Sequence, residues 1–268
     1  EGETELSPIQ KWFFDVWNGE INYFNQGILF ETDKEIQKDI FERTIEILYE
    51  RHEIFRTIYK KKSENVWTAE VKENGNKEKL IHYFKPEGDT QKFIEEKVNE
   101  LYRNINIEKG ILCQVFVIEG ERTIAGAIVH HLAVDGVSWR ILLDEGYSTY
   151  KSLREGKDVK LGPKTAPYQR WVDKITEYKD SEKYLNEKEY WEKMEGDVIP
   201  LKTGKNKYSY EIGIDEKTSQ YLINEMYKDC KVSTQELLIS ALMKTIAEEY
   251  GIERIKVMME SHGREEEL

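Results

Sequence analysis

The sequence predicts an α/β protein, and three observations carry that prediction. Runs with period-2 apolar spacing alternate with runs of helical spacing along most of the 268 residues. Thr32 with Glu35, and Ser233 with Glu236, form capping-box patterns that mark helix starts. Glu119-Gly120-Glu121-Arg122 separates two apolar runs in the way a hairpin turn does.

Taken in order, Pro8–Trp17 reads as an aromatic-rich opening helix and Gly27–Glu31 as a strand. The Thr32/Glu35 box then opens an amphipathic helix with Ile36, Ile40, Phe41, Ile45 and Leu48 on one side. Phe55–Tyr59 and Val66–Val71 read as strands joined by the polar turn Lys60–Asn65. Phe93, Ile94, Val98 and Leu101 supply the stripe of a helix over Gln91–Tyr102. Ile111–Ile118 and Thr123–His130 are the arms of the hairpin, and a helix follows over Ser138–Leu153. Beyond it lie short helices at Gln169–Tyr178 and Tyr184–Met194, a strand at Tyr208–Ile214 and a helix at Glu216–Met226. The Ser233/Glu236 box opens a helix to Tyr250, and Ile255–Met259 reads as a final strand. Lys- and Glu-rich residues 176–206 read as a crossing segment between a first structural unit over 1–175 and a second over 207–268 that has few strands of its own.

Composition narrows the function. The net charge of -12, from 52 acidic and 40 basic residues without a dominant basic run, argues against nucleic-acid or anionic-membrane binding. Cys113 and Cys230 are far apart and lack metal-type spacing, which argues against a disulfide framework and a structural zinc site. Without signal-peptide character or an apolar stretch of about 20 residues, a soluble cytoplasmic protein is expected.

The most informative segment is His130-His131-Leu132-Ala133-Val134-Asp135-Gly136, at the end of the run Thr123–Val129, in a chain with only five histidines. Imidazole titrates near neutrality and can both take and return a proton. Adjacent strand residues face opposite sides, so one histidine faces a cleft and the other packs inside; two buried, satisfied histidines are the bland alternative. Asp135 is placed to orient an imidazole, but no nucleophile elbow accompanies it, and Ser138 reads as a helix cap. The group does not match a helical two-histidine zinc pattern.

His-His-Leu-Ala-Val-Asp-Gly-Val-Ser-Trp-Arg-Ile-Leu resembles the signature of the condensation-domain superfamily of non-ribosomal peptide synthetases, and Val137-Ser138-Trp139 resembles its epimerization branch. Pro8-Ile9-Gln10-Lys11-Trp12-Phe13 resembles that branch's opening motif, followed as in that group by Phe24-Asn25-Gln26. Arg51–Thr57 resembles the superfamily's Arg-His-Glu-x-Leu-Arg-Thr motif. Glu260-Ser261-His262-Gly263-Arg264-Glu265 resembles the epimerization motif Glu-Gly-His-Gly-Arg-Glu, with Ser261 in place of its first glycine. The family's later motifs do not occur before Leu268, so the match is to an N-terminal portion.

The resemblance implies a chloramphenicol-acetyltransferase-like lobe plus the start of a second similar lobe. It implies L-to-D epimerization of an aminoacyl or peptidyl thioester on the phosphopantetheine arm of a partner carrier domain. The chain would then need no cofactor of its own, and neighbouring synthetase modules of antibiotic-type secondary metabolism would be its partners. His131 would be the catalytic histidine in the tunnel and Glu260 its counterpart on the opposite face of the α-carbon. His130, Gly136 and an Asp135–Arg56 pair would support the histidine loop. Ser138, Trp139, His262 and Arg264 would be candidates for lining the tunnel. A glutamate near pKa 4.3 is a poor base for an α-proton, so Glu260 is expected to be partly buried with its pKa raised. The alternatives are a peptide-bond-forming condensation domain and a non-catalytic carrier-binding fragment.

Overall fold

The computed structural model describes residues 2–64, 66–77, 80–86, 89–195, 208–252, 254–257 and 259. They fall into two compact units, one within Glu1–Ser181 and one within Glu182–Ser261.

The first unit is built on two sheets. Its larger sheet has the order β2-β7-β6-β5, from Asn25–Thr32 (β2), Ile81–Phe84 (β5), Cys113–Glu119 (β6) and Thr123–His130 (β7). The expected hairpin is β6–β7, antiparallel with Cys113 opposite Val129, and β2 pairs antiparallel on the other side of β7 with Asn25 opposite His130. β5 runs parallel to β6 and reaches it through helix α3 (Thr90–Asn104). The smaller sheet, β1-β4-β3, comprises Gly2–Thr4 (β1), Thr57–Ser63 (β3) and Val66–Val71 (β4).

Alternation along the strands fills two cores. Phe116, Ile118 and Ile128 pack with Leu101 and Ile105 at α3. Val129 belongs to the other core, with Tyr49, Phe55, Tyr59 and Ile107. Each large apolar side chain fully buried in this way contributes about 1.5–3 kcal/mol. Two glycines let neighbours approach the sheet: a Cβ on Gly27 would lie 2.7 Å from the Tyr102 hydroxyl, and one on Gly126 2.6 Å from Phe116 Cζ.

Helix α1 (Pro8–Val16) starts with a capping box the sequence reading did not name, in which Ser7 and Gln10 satisfy each other's backbone N–H. Gln10 also donates to the buried Tyr59 hydroxyl at 3.0 Å, and Tyr168 of α5 (Tyr168–Tyr178) donates to Ser7 Oγ at 2.8 Å. Helix α2 (Lys38–Arg51) packs on α4 (Gly136–Arg154). Across that contact Glu145 accepts two bonds from Arg51 Nε, at 2.9 and 3.0 Å, and pairs with His52 Nε2 at 2.8 Å. Arg51 and His52 thus belong to the packing of α2 on α4.

The Thr32/Glu35 capping box does not form. Thr32 is the last residue of β2, opposite Thr123, and its hydroxyl accepts from Lys34 N at 3.0 Å in a local turn. Helix α2 instead begins after Gln37, which makes no side-chain cap.

In the second unit, α6 (Glu182–Glu195) precedes α7 (Glu216–Gln220), which continues through a π-helical turn at Tyr221–Glu225 into α8 (Met226–Cys230). The Ser233/Glu236 box caps α9 (Thr234–Tyr250) in both directions, and Gly251 closes it in the left-handed region at φ 64°. Tyr208–Ile214, expected as a strand, has no ladder partner among the described residues, and Tyr210 is 95% exposed. The described part of 255–259 is likewise not a strand. An alternating run offers two faces but becomes a strand only where a neighbour completes its backbone hydrogen bonds. No helix among the described residues is long and apolar enough to cross a membrane.

Candidate active site

Strand β7 delivers the two histidines into different surroundings. His130 is fully buried; its Nε2 donates to Ile21 O at 2.7 Å, and its Nδ1 accepts from Leu132 N at 3.1 Å. Phe13 and Phe24 lie edge-on around the ring. Burial opposes a positive charge there and pushes its pKa down to about 4. It is thus a neutral, packed Nε2–H histidine.

His131 leaves the strand and turns outward, half-buried. Its backbone N–H donates to Phe24 O at 2.7 Å, and its ring stacks on Phe24 with centroids 4.9 Å apart. Nδ1 lies 2.9 Å from Val134 O, and Nε2 lies 2.9 Å from Gln26 Nε2. A carbonyl only accepts, so Nδ1 carries the hydrogen. The indole Nε1 of Trp139 donates to Gln26 Oε1 at 2.9 Å, which turns the Gln26 amide nitrogen toward His131. The ring therefore presents Nε2 as its lone-pair nitrogen, the atom suited to accept a proton. Adjacent histidines are thereby held in opposite tautomers.

The loop enters α4 through Asp135, its N-cap, whose Oδ1 accepts from both the backbone N and the hydroxyl of Ser138 at 2.6 Å. Ser138, expected as the cap, is the group that the cap holds. Arg56 does not supply the expected partner for Asp135. Its guanidinium donates to Lys72 O and Glu73 O, both at 2.7 Å, fastening the chain that follows β4. Gly136 is the first residue of α4, and a Cβ there would meet nothing within 4 Å. Its φ lies outside the left-handed region, so the turn into the helix does not require glycine. Glu260, Ser261, His262 and Arg264 lie outside the described residues. Among the described residues no three His, Cys, Asp or Glu side chains could hold a metal ion.

The structure brings His131, Gln26, Phe24 and Trp139 together. Gln26 was legible only as part of Phe24-Asn25-Gln26, with no role attached, because it meets His131 across 105 residues through strand pairing.

The family model described as "Condensation domain" matches residues 1–268. Bacitracin synthase 1 of Bacillus licheniformis is 32% identical over 282 residues, covering 100% of this chain and 5% of that protein. Surfactin synthase subunit 1 of Bacillus subtilis (strain 168) is 27% identical over 281 residues, 99% of this chain and 8% of that protein. The epimerization domain from the third module of tyrocidine synthetase B superposes with a TM-score of 0.82 at 21% identity, over 92% of this chain and 59% of that one. The first condensation domain of the calcium-dependent antibiotic synthetase superposes at 0.69 and 14% identity, over 93% of this chain and 62% of that one. The chain thus spans about three fifths of those solved domains and a small part of the synthetases. Together with the chloramphenicol-acetyltransferase-like fold, the match over all 268 residues places the chain in the condensation-domain family of non-ribosomal peptide synthetases.

Proposed function

We propose that this chain carries the histidine side of an epimerase site that inverts the α-carbon of an aminoacyl or peptidyl thioester. The substrate would be held on the phosphopantetheine arm of a carrier domain in a multi-module synthetase. The observation that carries the reading is the unprotonated Nε2 of His131 on a structured loop, in a chain that also has Glu260 in an epimerization-type motif. Inversion needs a proton removed from one face of a carbon and another returned to the opposite face, hence two groups. His131 serves one face and Glu260 the other: the C–H bond breaks, its electron pair enters the thioester enolate, and reprotonation from the far side gives the D centre. Acid–base catalysis of this kind contributes about 10²–10⁴-fold. The opening Pro8–Phe13 motif and the superposition on a tyrocidine synthetase epimerization domain support the same reading. Residues 1–175 would form the histidine-bearing lobe and 207–268 the start of the lobe carrying Glu260.

The second reading is peptide-bond formation, favoured by the family model and by the superposition on a condensation domain. There the same Nε2 would accept the proton of the attacking amine. One experiment separates the two. A carrier domain is loaded with an α-deuterated L-aminoacyl group and presented to the full domain containing this chain; label loss and product chirality are followed. Epimerization predicts loss of deuterium and appearance of the D form, both abolished by His131→Ala and strongly slowed by Glu260→Gln. Retention of deuterium with amide formation on an acceptor carrier would establish condensation instead.

A further inference from the structure

The relay Trp139–Gln26–His131 has a directionality that the proton-transfer reading does not use. Indole Nε1–H can only donate, so the oxygen of the Gln26 amide must face it, at 2.9 Å. The amide nitrogen then points at His131 Nε2, also at 2.9 Å. From the other side, Val134 O can only accept and takes the Nδ1 hydrogen. The two ends agree on one ring form. A proton on Nε2 would confront the Gln26 N–H₂ donor, and the amide cannot flip to receive it without giving up Trp139.

We propose that Gln26, locked by Trp139, is a positioning residue that, with Val134 O, keeps His131 in its neutral Nδ1–H form, its Nε2 unprotonated in the resting state. This rests on the reading of His131 as the proton-transfer base. Gln26 reaches the ring from β2, Trp139 supports it from α4, Phe24 stacks on one face and Val134 closes the loop. None of these groups titrates; among the described residues the loop also carries Asp135, which caps α4, and the adjacent His130, itself held neutral by burial. With Val134 O holding the Nδ1 hydrogen, exclusion of a second proton from Nε2 therefore falls to the carboxamide. When Nε2 takes the substrate proton, the amide must swing away, so the relay is made in the resting state and broken during turnover.

The test is nitrogen-detected NMR of this chain with ¹⁵N-labelled histidine. The expected result is opposite tautomers at neighbouring positions: His131 protonated on Nδ1 alone and His130 on Nε2 alone. In Gln26→Glu a carboxylate replaces the donor and would hold a proton on Nε2. The pH at which the His131 ring resonances move should rise by about 1–3 units, the effect of an opposite charge within contact distance. Gln26→Met, which keeps the length without either polar atom, and Trp139→Phe, which frees the amide to flip, should also raise the pH at which the His131 ring resonances move, with the neutral ring still protonated on Nδ1 and His130 unchanged. An Nε2-protonated His131 in the parent would overturn the proposal, as would an unmoved titration in Gln26→Glu. In the full domain the pH profile of label exchange should move in the same direction as the ring titration. If the parent shows the expected tautomer yet never exchanges label, the epimerase reading fails while the positioning role stands.

Discussion

Acid should weaken the first unit before its carboxylates are reached, because His130 is buried as a neutral ring. Its pKa is depressed from 6.5 to about 4 by burial. An unfolded chain binds a proton at that ring below pH 6.5, whereas the folded chain refuses it until about pH 4. The stabilisation is therefore fully present above pH 6.5 and is lost progressively as the pH falls toward 4, with no further loss from this group below that. Across the whole window the linkage amounts to roughly 3 kcal/mol, and from pH 7 to pH 5 to about 2 kcal/mol. Carboxylates such as Glu50 and Glu100, lowered from 4.5 by their lysine partners, act from 4.5 downward, below the span of pH 7 to 5. The assay is urea unfolding by tryptophan fluorescence and circular dichroism at pH 7, 6 and 5, for the parent and His130→Gln. The variant retains a donor toward Ile21 O but has nothing to titrate, so its stability should fall less over the same range. Parallel losses in parent and variant would refute the reasoning. So would a His130 ring that titrates near 6.5 by NMR, a readout that survives even if the variant folds poorly.

Three further outcomes are expected. Gly126→Ala places a methyl 2.6 Å from Phe116 Cζ and 2.7 Å from Ile28 O; it should cost about 1–3 kcal/mol in urea unfolding, and an unchanged midpoint would mean the strands can part there without strain. Glu145→Ala strips the half-buried Arg51 and His52 of their shared acceptor and should cost about 1–3 kcal/mol, between the exposed and buried limits, read as a lowered thermal midpoint. Iodoacetamide at pH 8 should modify exposed Cys230 well before Cys113, whose thiol burial pushes up to about 12; peptide mass spectrometry reports the order, and equal rates would contradict the burial.

Much of the architecture could be read from local pattern. β2, β6 and β7 are apolar runs long enough to declare themselves, and the helices carry clear stripes or caps. The misses share a cause. Gly2–Thr4 and Ile81–Phe84 are too short to show alternation and become strands only because β4 and β6 offer edges. Tyr208–Ile214 fails for the converse reason, a good pattern with no neighbour among the described residues. Thr32 and Ser233 carry the same box, yet only Ser233 caps a helix, because Thr32 belongs to a ladder with Thr123. At the site, His130 packs inside and His131 turns outward, but His131 lies just past the end of β7, so the loop rather than strand alternation sets its direction. The partners of Arg56, Asp135 and His131 depend on register and loop geometry, which no local window contains.

Gly27 has a consequence for how faithfully the site assembles. It sits next to Gln26 on an edge strand, directly under the Tyr102 hydroxyl, where a Cβ would come within 2.7 Å. A slip of β2 by one residue would exchange the faces of all its side chains. It would turn Gln26 away from His131, and it would also drive Gln26 or Ile28 into Tyr102. The same steric check that keeps the edge strand from mispairing thus proofreads the imidazole, so a chain that has closed this sheet correctly has also aimed its base.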